Sequence, residues 1–156
     1  MIGQSKLLNK LNNFTVDSFP RSIILLGERG CGKHTIVKYI QENIIKFPVM
    51  DVTQNISNEY IDNIYRNPNP AIYVIDLNEF TEKEQNVLLK FVEEPLLNSF
   101  IILLAESKTN ILILDNKFLN SNYYKNIFEF LKSLNTFHKF QISVNKENRL
   151  WVCLFC

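Results

Sequence analysis

The sequence predicts a three-layer α/β/α domain on a mainly parallel sheet. Three observations carry that expectation. Short aliphatic runs alternate with longer stretches whose apolar residues recur at helical spacing. A glycine-rich turn joins the first full aliphatic run to the next helical stretch. Prolines and capping residues mark the boundaries between elements. Strands alternating with helices build right-handed βαβ units, whose helices cover both faces of a sheet.

Taken in order, residues 4–14 read as a helix with Leu7, Leu8, Leu11 and Phe14 on one face, and Asp17 to Pro20 as a turn. The first strand follows at about 23–27, the aliphatic part of Ser22-Ile23-Ile24-Leu25-Leu26. After it comes Gly27-Glu28-Arg29-Gly30-Cys31-Gly32-Lys33-His34-Thr35, in which Gly27, Gly32 and Lys33 fit G-x-x-x-x-G-K. Glycines permit positive φ and close approach of a phosphate. Backbone N–H groups and the helix N-terminus then face the anion, and Lys33 reaches the outer phosphates. The expected ligand is ATP or ADP with Mg²⁺, held by Gly27, Gly30, Cys31, Gly32, Lys33, His34 and Thr35. One position departs from the motif. His34 stands where Ser or Thr would put a hydroxyl on Mg²⁺, and an imidazole serves that hard cation poorly. Thr35 has a hydroxyl, but one residue on along a helix is turned about 100° away.

The helix after this loop carries Ile36, Val37, Ile40 and Ile44 on one face and runs to about Phe47, where Pro48 ends it. Val49 to Val52 reads as a second strand. Ser57 caps a helix with Tyr60, Ile61, Ile64 and Tyr65, and Asn67-Pro68-Asn69-Pro70 stops it. Ala71 to Ile75 is a third strand ending at Asp76. Thr81 and Glu84 form a capping box for a helix with Val87, Leu88, Phe91 and Val92, closed by Pro95. Phe100 to Ala105 is the fourth strand, and Ile111 to Leu114 a short apolar piece. Tyr123 to Leu134 reads as an amphipathic helix. Phe140 to Val144, a turn at Asn145 to Asn148, and Leu150 to Phe155 read as a β-hairpin. The division expected is a P-loop domain over 1–119 and a short helix-plus-hairpin extension over 120–156. The first and third strands are expected to be adjacent or separated by one strand, with Asp76 beside the loop at the carboxyl edge of the sheet.

The chain has 156 residues, 46% of them hydrophobic, which suits one domain with a proper core. A net charge of +1 gives no strong basic field for nucleic acid. Cys31, Cys153 and Cys156 offer no paired metal-ligand spacing and read as reduced thiols. No signal peptide and no run near the ~20 apolar residues of a membrane span is present, so a cytoplasmic location without membrane contact is expected. His34 and His138 are the only histidines, and no hydrolase triad can be argued from them.

Two further blocks join the loop: Asn86-Val87-Leu88-Leu89-Lys90-Phe91-Val92-Glu93-Glu94-Pro95, and Phe100 to Ala105 just after it. Together with Ile2-Gly3-Gln4 they resemble the AAA+ domain of bacterial clamp loaders over residues 1–112, most like the delta-prime type of DNA polymerase III. The resemblance implies a P-loop ATPase fold of AAA+ type, partner AAA+ subunits, and primer-template DNA reached through the assembly. It also implies roles. Asp76 is the acid of the third strand, holding Mg²⁺ through water, with Leu77 replacing the catalytic Glu. In the alternative register Ile75 takes the Asp position and Asp76 the Glu position; either way one acidic role is empty. Ser107 is the sensor candidate past the fourth strand, with Glu106 or Thr109 as alternatives. Where the family has an arginine reaching the neighbouring ATP, this chain reads Leu112 to Phe118 with Lys117, which lacks the planar fork. The family's lid and collar do not fit after residue 119. The helix from Thr81 is the expected partner surface, with Val87, Leu88 and Phe91 packed inward and Glu82, Gln85, Lys90 and Glu93 free; Lys90 is the candidate contact to DNA phosphate.

The first expectation is therefore a nucleotide-binding clamp-loader scaffold with a degenerate ATPase site and little intrinsic turnover. An active AAA+ ATPase that borrows partner arginines is the alternative. A small P-loop kinase stands third, because it needs an Arg-rich lid that the sequence lacks.

Overall fold

A computed structural model describes residues 5–88, 91, 96, 98–106, 139–143 and 149–154. Helix α1 covers Ser5–Leu11, α2 Lys33–Ile40, α3 Asn58–Arg66 and α4 Glu82–Val87. The strands are β1 Ser22–Leu26, β2 Val49–Asp51, β3 Ala71–Asp76, β4 Ser99–Ala105, β5 Lys139–Ser143 and β6 Arg149–Leu154. They form one sheet in the order β2-β3-β4-β1-β6-β5. All pairings are parallel except β5 with β6. β4 separates β1 from β3, within the expected arrangement.

Period-two alternation divides the central strands between two cores. Ile23, Leu25, Ile72, Val74, Phe100, Ile102 and Leu104 face the layer of α1 and α2, where Leu11, Ile36, Val37 and Ile40 cover them. Ile24, Leu26, Ala71, Tyr73, Ile75, Ile101 and Leu103 face the other layer and pack on Ile61 and Ile64 of α3, with Leu88 and Phe91. Strands buried on both faces must be apolar throughout, which is why β1, β3 and β4 read as continuous runs. By the same parity Asp76, two residues past Val74, falls on the α2 face of the sheet.

The local signals were strong where side chains close their own turns. Ser57 Oγ accepts from the Tyr60 N–H at 3.1 Å to cap α3. Thr81 and Glu84 form the reciprocal box at the start of α4. Two expectations are corrected. The helix after the loop does not remain α-helical to Phe47; after Ile40 it widens into a π-helical turn over Gln41–Ile45 and ends at Lys46, in left-handed conformation (φ 59°). Gln85, expected on the free face of α4, is fully buried, and its amide donates to the carbonyls of Leu77 and Phe80 at 3.5 Å each. The expected hairpin forms from antiparallel β5 and β6, and it joins the main sheet: β6 lies parallel to β1, with Ser22 opposite Leu150 and Leu26 opposite Leu154. The expected piece at 111–114 and helix at 123–134 lie outside the described residues. Among the described residues, no helix is long and apolar enough to cross a membrane.

Candidate functional site

The site forms at the carboxyl ends of β1, β3 and β4. Gly27 follows β1, and its N–H donates to the Ala105 carbonyl at 3.0 Å, tying the start of the loop to the end of β4. The Cys31 N–H closes a turn on the Glu28 carbonyl at 3.2 Å. Gly30 and Gly32 have φ of 82° and 95°, which side-chain-bearing residues rarely adopt. A Cβ at either would meet no atom within 4 Å, so conformation selects glycine here and the space beside it is open. Gly32 starts α2 without a side-chain cap, leaving the helix's first N–H groups to be met by a ligand or water.

Lys33 is 8% exposed. Its ammonium donates to the carbonyls of Gly27 at 2.5 Å and Glu28 at 2.9 Å, with Cys31 Sγ 3.9 Å away. The chain thus holds the charge over the loop with backbone oxygens. Among the described residues the ion pair seen is Lys38 with Glu42, so no carboxylate neutralises Lys33. A buried cation held by neutral dipoles is a strong partner for phosphate.

A cleft of about 560 Å³ opens over this loop, lined by Arg29, Gly30, Gly32, Lys33, His34, Thr35, Asp76, Asn78, Glu79 and Glu106. Of the residues expected to bind nucleotide, Gly30, Gly32, Lys33, His34 and Thr35 line it. Gly27 and Cys31 are not among its lining residues; the Gly27 carbonyl and the Cys31 thiol contact the Lys33 ammonium instead. Thr35, expected to turn away, shares the lining with His34. His34 is exposed and also borders a smaller hollow of about 140 Å³ with Lys38, Gln41 and Asp51.

Asp76 faces the loop across this cleft. Its backbone N–H donates to Thr53 Oγ1 at 3.0 Å, and that hydroxyl donates to Asp51 Oδ1 at 2.7 Å. Its carboxylate accepts the Asn78 N–H at 3.0 Å. Ile75 and Leu77 on either side are both fully buried. Asp76 is therefore the one carboxylate that β3 itself brings to the cleft, and Leu77 belongs to the core. Ser107, Thr109 and Lys117 lie outside the described residues, whereas Glu106 is exposed on the cleft wall.

Sequence reasoning missed Arg29, Asn78 and Glu79. Leu77–Glu79 forms a 3₁₀ turn after β3, and this turn carries two polar side chains back over the sheet edge. Glu79 accepts from Gln54 Nε2 at 2.7 Å. The signal was present in a strand-end aspartate followed by Asn, a common turn former.

The fit to a magnesium nucleotide divides in two. The loop, Lys33 and the open glycines suit phosphates. Carboxylate oxygens of Asp76, Glu79 and Glu106 suit a hard divalent cation. Among the described residues no three His, Cys, Asp or Glu side chains converge closely enough to hold a metal alone. Mg²⁺ would therefore be bound through phosphate and water oxygens with Asp76.

A model of the Sigma-54 interaction domain matches residues 2–131, most of the chain. This places the protein among AAA+ ATPase domains and accounts for the P-loop, the parallel sheet and their order. No match was found among curated proteins.

Proposed function

We propose, from the fact that this chain belongs to the Sigma-54 interaction domain family, that it is a nucleotide-binding AAA+ subunit with an incomplete hydrolytic centre. Its finer assignment is a clamp-loader subunit of delta-prime type in DNA replication, cytoplasmic, working beside larger AAA+ subunits and reaching primer-template DNA through them. The observation that carries the incomplete centre is the pairing of Asp76 in the cleft with Leu77 in the core. Phosphate binding is supported by the loop and Lys33, while the position next to the proposed metal-side acid is aliphatic. Turnover lacks a water-polarising carboxylate at that position.

The clamp-loader assignment is supported by the block from Asn86 to Pro95, of which Asn86 to Leu88 and Phe91 are described. Leu88 and Phe91 are fully buried, as an inward face requires. Lys90 and Glu93 are the proposed contact residues, and Gln85 is withdrawn from that face because it is buried.

Titration with ATP and ADP, with and without Mg²⁺, tests the site. The expected result is nucleotide binding with negligible turnover by the isolated chain, since losing an arginine finger alone costs about 10³–10⁵ in rate. Turnover near 1 s⁻¹ by the isolated protein would overturn the incomplete centre in favour of an active ATPase. A second partner reading follows from the family's printed name: a sigma-54 factor. Capture with purified clamp-loader subunits and, separately, with a sigma-54 factor distinguishes the two.

A further inference from the structure

We propose that Asn78 reads the outermost phosphate of the bound nucleotide and sets the preference for triphosphate over diphosphate; this rests on the nucleotide site proposed above. Asn78 lines the same cleft as Lys33 and Asp76. Its amide orientation is forced by chemistry. The Glu106 backbone N–H donates to Asn78 Oδ1 at 2.8 Å, and an N–H can be met only by the oxygen end of the amide. The backbone N–H of Asn78 is itself committed to Asp76 Oδ1 at 3.0 Å. The residue is thus pinned at two points, to the last residue of β3 and to the residue following β4.

With the oxygen committed, the amide nitrogen carries two donors that meet no acceptor among the described residues. Asn78 and Lys33 line one cleft, and two neutral donors added to an ammonium there select an anion and disfavour a cation. The two walls divide the work. The loop and the start of α2, with Lys33 held on the loop carbonyls, would take the nearer phosphates. The wall made by the ends of β3 and β4, which carries Asp76, Asn78 and Glu106, would meet the far end of the chain of phosphates. ADP does not extend that far, so the Asn78 donors contribute to ATP alone.

The test is titration of ATP and of ADP at fixed Mg²⁺ for the wild type, Asn78→Asp and Asn78→Ala, with melting curves for each. Asn78→Asp keeps an oxygen for the Glu106 N–H and loses the donors. Asn78→Ala loses donors and tether together, without adding charge. A hydrogen bond to a charged group corresponds to about tenfold or more in affinity, so both variants should lower the ATP-to-ADP affinity ratio by about that factor. Either variant keeping the wild-type ratio overturns the proposal: a mere tether spares Asn78→Asp, and a mere effect of added charge spares Asn78→Ala. If Asn78→Ala fails to fold, an unchanged ratio in Asn78→Asp is sufficient to reject it. A wild-type chain that binds neither nucleotide overturns this proposal together with the nucleotide site. Binding that is lost in Lys33→Ala but keeps its ratio in the Asn78 variants overturns this proposal alone.

Discussion

Thr53 holds Asp76 by its backbone: the hydroxyl accepts the Asp76 N–H at 3.0 Å and gives its own proton to Asp51. Thr53 is buried and Asp76 partly so, which makes water a poor substitute on the Asp76 side, whereas Asp51 is exposed. Thr53→Val preserves shape and leaves the Asp76 N–H without its acceptor, while Asp51 keeps the bond from the backbone N–H of residue 53 at 3.1 Å. The expected cost is about 1–3 kcal/mol, read as a shift in the urea midpoint, with Thr53→Ser close to wild type. Mg²⁺-dependent nucleotide affinity should fall in parallel, because the end of β3 loses its anchor.

Lys33→Ala removes the ammonium over the loop while leaving the glycine conformations intact. Affinity for ATP and for ADP should each fall by at least about tenfold, as expected for loss of a charge-assisted contact. Isothermal titration checks this. Equal loss of binding with and without Mg²⁺ is expected, since Lys33 acts on phosphate directly.

His34→Thr places a hydroxyl where the proposed magnesium site lacks one. Mg-ATP should bind more tightly, by a few-fold to about tenfold. Metal-free ATP should bind equally or more weakly, because the gained hydroxyl acts through the cation while the imidazole N–H donor is lost. Binding curves with Mg²⁺ and with a chelator separate the two effects. A variant with unaltered Mg²⁺ dependence would remove position 34 from the metal side of the site.

Leu77→Glu restores a carboxylate by sequence and fails by structure. Leu77 is fully buried against the core of α3 and α4. A charge there lacks a partner, and the expected loss is about 3 kcal/mol or more, with no gain in hydrolysis. Circular dichroism melts and a phosphate-release assay read both outcomes.

Glu84 gives a pH signature. Its carboxylate accepts the Thr81 N–H at 2.7 Å and the Thr81 hydroxyl at 3.0 Å, and these bonds hold it below the ordinary glutamate value of 4.5. A depressed folded value stabilises above the unfolded value, and that contribution disappears as pH falls through the folded one. The stability gap between wild type and Glu84→Gln should therefore be flat near neutrality and close below about pH 4.5. The group is fully exposed, so added salt should shrink the gap.

What was legible in the sequence was what neighbouring residues decide among themselves. Ser57, the Thr81–Glu84 box and the loop around Lys33 each close turns with partners a few positions away, and all were readable. Strands β1, β3 and β4 were readable because burial on both faces leaves only aliphatic choices. Asn78 and Glu79 were missed because a three-residue turn carried them into the cleft. Gln85 was misread because its partners are carbonyls at the other end of that turn, which helical periodicity cannot reveal. The pairing of β6 with β1 was also hidden, since the two strands lie far apart in the chain and parallel register carries no local mark.

That pairing has a consequence for how the protein is made. β6 is the latest of the six strands to leave the ribosome, and it supplies the second neighbour of β1. Until Arg149–Leu154 emerges, the strand leading into the loop presents an open aliphatic edge, the kind that pairs with other nascent chains. At about 5–20 residues per second this interval lasts several seconds after β4 has been synthesised. Translation speed across the segment between β4 and β6 therefore governs how long newborn molecules are open to mispairing.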